Sequence, residues 1–165
     1  MANVTSSGRA KVTLPSDEEI LITREFDAPR HLVYRAWTEP ELVRRWWAGR
    51  RGEVTSSEID LRVGGAWRYV MIAHDGHEVG FHGEFREIVP DERIVSTEVY
   101  EGAPEGEAVN LITFTEASDR TTLSILMQLP SREVRDIIIA TGMETGMQES
   151  MDLLEEVAVS LTEVR

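Results

Sequence analysis

Apolar and polar residues alternate through most of the chain, the period of a half-buried strand, and two stretches break that rhythm for the three-to-four spacing of a helix. The first is "APRHLVYRAWTEPELVRRWW": Leu32, Val33, Ala36 and Trp37 recur at helical spacing, and Pro40 opens a second short helix carrying Leu42, Val43, Trp46 and Trp47. The second follows Pro130, takes Ser131 as its N-cap and holds to about Leu161. Along it Met143, Met147, Met151, Leu154, Ala158 and Leu161 trace one apolar stripe, which predicts a single long closing helix.

The strand-like segments are "KVTL" and "EILITREF" before the short helices, then "EVTSSEIDLRV", "AWRYVMIA", "EVGFHGEFREIV", "RIVSTEVY", "AVNLITFTE" and "TTLSILMQL". Turn signals separate them, and Asp75-Gly76 predicts a two-residue type I′ hairpin. Short connections favour an antiparallel sheet, and only the closing helix is long enough to cover its apolar face. The expected class is α+β: a curved antiparallel sheet of about six or seven strands wrapped on a long C-terminal helix, with two short helices after the first strand. Gly64-Gly65, Gly80 and Gly83 are the expected places for bends or bulges. Residues 1–9 are expected to form a flexible tail and residues 10–165 a single domain.

Strand parity places Trp67, Tyr69 and Met71 on one face of "AWRYVMIA", and Phe81, Gly83 and Phe85 share a face of the next strand. With Trp46, Trp47, Met127, Met143 and Met147 they predict a mostly apolar pocket between sheet and helix. A packed core accounts equally for each residue taken singly. Gly142 and Gly146 sit in the helical stretch, where each costs about 1 kcal/mol against alanine. They imply either close helix–sheet approach or open volume that adaptable methionines surround.

The formal charge of −13 works against nucleic acid and anionic lipid as partners, and the cationic "RRWWAGRR" reads as a solvated helix end. With no cysteine, disulfides, thiolate metal sites and a cysteine nucleophile are excluded. The amino terminus lacks a secretory pattern, and no apolar run reaches the roughly 20 residues of a membrane span, so a soluble cytoplasmic protein is expected. His74 and His77 flank a turn and read as surface rather than metal ligands. Glu58, Asp60 and Arg62 read as a solvated strand face, and His82 with Glu84 would serve proton transfer only if their face were buried. No phosphate loop, nucleophile elbow or zinc-protease motif occurs, so no catalytic residue, cofactor or metal is expected.

The segments "ITREFDAPRHLVYRAWTEPELVRRWW", "DLRVGGAWRYVM", "DGHEVGFHGEFREIVPDERIVSTE" and "ATGMETGMQESMDLLEEV" resemble bacterial homologues of the carboxy-terminal domain of the heat-shock protein 90 ATPase activator. These belong to the START and polyketide cyclase (SRPBCC) superfamily, and the resemblance runs in order over residues 20–160. It implies a helix-grip fold with an internal cavity. Family members often carry Trp after the second glycine of the helix motif, where this chain has Met147. Three functions follow from the resemblance: binding of a small hydrophobic or aromatic molecule, a polyketide cyclase or aromatase-type reaction in the same cavity, or a co-chaperone-like adaptor. A chaperone partner is disfavoured, since 165 residues leave no room for the eukaryotic co-chaperone's separate amino-terminal domain. A homodimer stays open.

Overall fold

The computed structural model describes residues 10–162, so the expected tail at 1–9 lies outside the described residues. Eight strands form one antiparallel sheet, one or two more than expected: β1 (Lys11–Thr13), β2 (Glu19–Phe26), β3 (Gly52–Ile59), β4 (Ala66–Ala73), β5 (Glu78–Val89), β6 (Arg93–Tyr100), β7 (Ala108–Ala117) and β8 (Arg120–Gln128). Their spatial order is β1-β2-β8-β7-β6-β5-β4-β3. Short connections make β3 to β8 a meander, while β2 pairs along its whole length with β8 and is joined to β3 through α1 (Arg30–Thr38) and α2 (Pro40–Val43). The two short helices thus follow the second strand, because "KVTL" pairs as a strand of its own.

The expected single closing helix is two. α3 (Arg132–Ala140) starts at Ser131, whose Oγ accepts from the Val134 N–H at 3.2 Å. It stops where Gly142 turns left-handed at φ 80°, a conformation open to glycine and costly for other residues, and α4 (Met143–Thr162) begins there. The apolar stripe read from the sequence starts at Met143, the first residue of α4. Gly142 is therefore a helix terminator and not a point of close approach to the sheet.

Two local expectations are also corrected. The β4–β5 hairpin has a four-residue connection in which only Gly76 has positive φ, and Asp75 Oδ1 accepts from the His77 N–H at 2.9 Å. Positive φ at both central positions, as a type I′ turn requires, occurs at Ser118–Asp119 between β7 and β8. The register shifts fall between Val54 and Ser56 and between Phe85 and Glu87, not at the glycines.

The core lies between the concave sheet and α4. Ile20, Ile22, Arg24 and Phe26 of β2 face it, as do Leu123 and Ile125 of β8, Ile112 and Phe114 of β7, and Leu154, Val157 and Ala158 of α4. Arg24 is the exception among these apolar neighbours. Its buried guanidinium stacks over the Phe26 ring and meets Asp152 at 3.1 Å and Glu155 at 2.7 Å on α4, an arrangement that locks the C-terminal half of the helix to β2. Glu155 also accepts from the Asp27 N–H at 2.9 Å.

Candidate functional site

The first eight residues of α4, Met143 to Ser150, include no buried residue. Beneath it the protein leaves a cavity of about 230 Å³, bounded by the sheet, by Trp37 and Thr38 at the end of α1, and by Trp46 and Trp47 after α2. Its aromatic wall is built by strand parity. Trp67 and Tyr69 point inward from β4 and their rings lie 4.8 Å apart, while Trp47 meets Tyr69 edge-on at 5.4 Å and Trp37 stacks on Trp46 at 5.0 Å.

Backbone hydrogen bonds hold the indoles in place. Trp46 Nε1 donates to the Ala36 carbonyl at 2.9 Å, and Trp67 Nε1 reaches across β5 to the Thr97 carbonyl of β6 at 3.1 Å. Gly83 makes that crossing feasible, since an added Cβ there would stand 1.8 Å from the Thr97 oxygen and 2.6 Å from Trp67 Nε1. The α4 side is fixed by Ser150 Oγ, which donates to the Trp47 carbonyl at 3.0 Å.

Of the ten residues the sequence pointed to, Trp46, Trp47, Trp67, Tyr69, Phe85, Met127 and Met147 line this cavity. Met71 and Phe81 instead line a smaller recess of about 160 Å³ beyond Trp47, together with Arg51 and Gly146. Met143 lines neither, because it opens α4 one helical turn before Met147 and packs at the margin of the core. Gly146 accommodates the Arg51 guanidinium, whose carbon would be 2.7 Å from an added Cβ.

Parity reading missed the polar end of the cavity. Ser96 and Glu98 of β6 and Asn110 of β7 all face inward, with Ser96 directly opposite Asn110 in the ladder. Asn110 Nδ2 donates to Glu98 Oε1 at 2.7 Å. Burial pushes the Glu98 carboxyl pKa up, and the bond from Asn110 opposes that rise without cancelling it. Tyr69 is shifted upward as well, chiefly by burial and then by the nearby Glu98 charge. Asn110 Oδ1 is buried and has no hydrogen-bond partner among the described residues. The available signal was "RIVSTEVY", in which Ile94, Ser96 and Glu98 share one parity, a phase that a sequence reader assigns to solvent because it carries the glutamate.

The groups considered for proton transfer lie elsewhere. His82 and Glu84 are exposed on the convex face, where a His82 ring nitrogen hydrogen-bonds Glu101 at 2.8 Å and Arg68 makes two bonds to the same carboxylate at 2.8 and 2.9 Å. Glu58, Asp60 and Arg62 are exposed too. His74 and His77 are exposed at the hairpin, and among the described residues no group of three or more acidic, histidine or cysteine side chains is placed to hold a metal. No helix of the described residues is long and apolar enough to cross a membrane.

The sequence matches, over residues 27–158, the family model described as activator of Hsp90 ATPase homolog 1-like protein. A search among curated proteins finds no match to the chain. A solved structure from Chromobacterium violaceum is 30% identical, with a TM-score of 0.75 over 86% of this chain and 97% of that one. A Rhodobacter sphaeroides protein superposes with a TM-score of 0.84 at 24% identity, covering 94% of this chain and 99% of its own. A Nitrosomonas europaea protein gives 0.82 at 23% identity, over 92% and 100% respectively. These last two likenesses speak for the fold.

Proposed function

Since the chain belongs to the activator of Hsp90 ATPase homolog 1-like family, whose helix-grip fold is of a ligand-binding kind, we propose that it binds a small hydrophobic or aromatic molecule in the cavity under α4. One observation carries this reading. A space of about 230 Å³ stays open among six aromatic side chains between the sheet and α4, where close packing is the rule. The rings of Trp47, Trp67 and Tyr69 would sandwich a flat guest, while Met127 and Met147 would adapt to its outline.

Thermal denaturation with a panel of small aromatic and aliphatic compounds tests the reading. A ligand at one hundred times its Kd adds roughly 2.7 kcal/mol to stability. Met147→Trp, which fills the space with an indole, is expected to abolish that gain while leaving the circular dichroism spectrum unchanged. A panel without a single stabilising compound, and a wild type no different from the filled variant, would overturn the proposal.

A second reading is a proton-shuttling enzyme of the polyketide cyclase type, and Glu98 favours it, being a titratable carboxyl inside the cavity. Protein-accelerated exchange of the α-protons of phenylacetone with deuterated water, lost in Glu98→Gln, is its expected signature. Exchange at the buffer rate removes it.

A further inference from the structure

The cavity is lopsided in its chemistry. Aromatic rings make up much of its wall and Glu98 and Asn110 stand beside them, yet among the described residues no Lys, Arg or His lines the space. Glu98 Oε1 takes the Asn110 amide at 2.7 Å, and its second oxygen makes no hydrogen bond to a described residue. Asn110, only 8% exposed, gives its Nδ2 to Glu98 and leaves Oδ1 without a donor among the described residues. Two acceptors thus lack a donor among the described residues, and for Asn110 Oδ1, which is buried, that is a costly arrangement.

A guest that repairs this deficit must bring N–H or O–H groups, and more than one. An ammonium carries three donors and a positive charge, it neutralises Glu98, and its flanks suit the faces of Trp and Tyr rings. A carboxylate or phosphate brings acceptors and a second negative charge with no cation to meet it. A plain hydrocarbon leaves both oxygens as they were.

We infer that the cavity selects aromatic molecules bearing a protonated amine, with the ammonium seated between Glu98 and Asn110 Oδ1 and the ring among Trp47, Trp67 and Tyr69. The inference rests on the enclosure proposed above and adds the class of guest.

Four compounds that share one skeleton separate the two claims: ethylbenzene, 2-phenylethanol, 2-phenylethylamine and 3-phenylpropionate, titrated by calorimetry at about pH 8, where the amine is still charged. The amine is expected to bind about tenfold or more tightly than the alcohol, and the carboxylate to bind at least about tenfold more weakly than the alcohol. Glu98→Gln is expected to bring the amine down to the level of the alcohol while ethylbenzene binds as before. Asn110→Ser, which withdraws Oδ1 and leaves the carboxylate, lowers the amine affinity by about threefold. Equal affinity for all four compounds overturns the selection and leaves the enclosure standing. An amine preference that survives Glu98→Gln assigns it to the acidic surface and also overturns the inference. Binding of none of the four, ethylbenzene included, counts against the enclosure itself.

Discussion

Glu98 lies near the end of β6 and Glu101 directly follows its last residue, Tyr100, and the two meet opposite environments. Glu98 faces the concave side, where burial raises its pKa and a single amide is its only hydrogen-bonding partner among the described residues. Glu101 follows the strand onto the convex side, over Gly80, and there Arg68 and then His82 hold its pKa down to about 2. The outer carboxylate is already satisfied by its neighbours and has nothing left to offer a ligand. The inner one is costly to keep, which is the condition expected of a group whose partner is not part of the protein. Charge counted along the chain does not separate the two; the side of the sheet does.

The most drastic way to break the contrast is to breach the wall between the two sides. Gly83→Ala drives a methyl group into the Thr97 carbonyl and the Trp67 indole, and it is expected to cost about 3 kcal/mol in urea denaturation while the Trp67 fluorescence shifts to longer wavelength. A stability within about 0.5 kcal/mol of wild type would show that the Trp67 crossing does not depend on Gly83.

Removing the inner charge sharpens the contrast. Glu98→Gln is expected to stabilise the empty protein at pH 7, on the order of 1 kcal/mol. The folded pKa lies above the ordinary 4.5, so the folded state binds this proton more tightly and the carboxyl supports folding best below about pH 4.5. That support is lost as pH rises through the elevated value. The advantage of the amide variant should therefore vanish on acidification below about 4.5, and an advantage independent of pH would contradict the buried carboxyl.

The outer charge has the opposite slope and the smallest effect. Its folded pKa of about 2 lies below the ordinary 4.5, so its contribution is complete above about pH 4.5 and fades as pH falls towards 2. Because the Arg68 and His82 partners are about half exposed, screening leaves little net stability. Glu101→Gln is expected to lower Tm by at most about 3 °C in dilute buffer, a difference that 1 M salt erases. A larger loss that persists in salt would mean the triad is buried more deeply than the structure has it.

Much of the architecture was legible because most strands obey a two-residue period with one apolar face. Trp67 and Tyr69 could be placed inward from parity alone, and the Ser131 cap from its position before an apolar repeat. Glu98 and Arg24 were illegible for a common reason: each breaks the rule that charge faces water, and its justification comes from another part of the chain. For Arg24 the justification is Asp152 and Glu155, over a hundred residues away, and for Glu98 it is Asn110 on the neighbouring strand. The interruption at Gly142 was hidden because a glycine that weakens a helix and a glycine that ends one look alike in a periodic pattern. Met71 and Phe81 have the right parity, yet Trp47 stands between them and the larger cavity, and no local pattern reports an indole from a different element.

The Arg24 lock gives α4 the mechanics of a cantilever. Asp152 and Glu155 clamp its far end to β2, Leu154 and Ala158 seat that end in the core, and the near end starts from the left-handed joint at Gly142. Gln148 and Ser150 add bonds to Ala10 and Trp47, so bending such a beam moves Met143 to Met147 most and the clamped turns least, and the flank of the cavity and the anchor of the fold belong to one helix. For the guest proposed above, passage would then be a matter of local stiffness around Gly142, adjustable by a single residue that does not line the cavity.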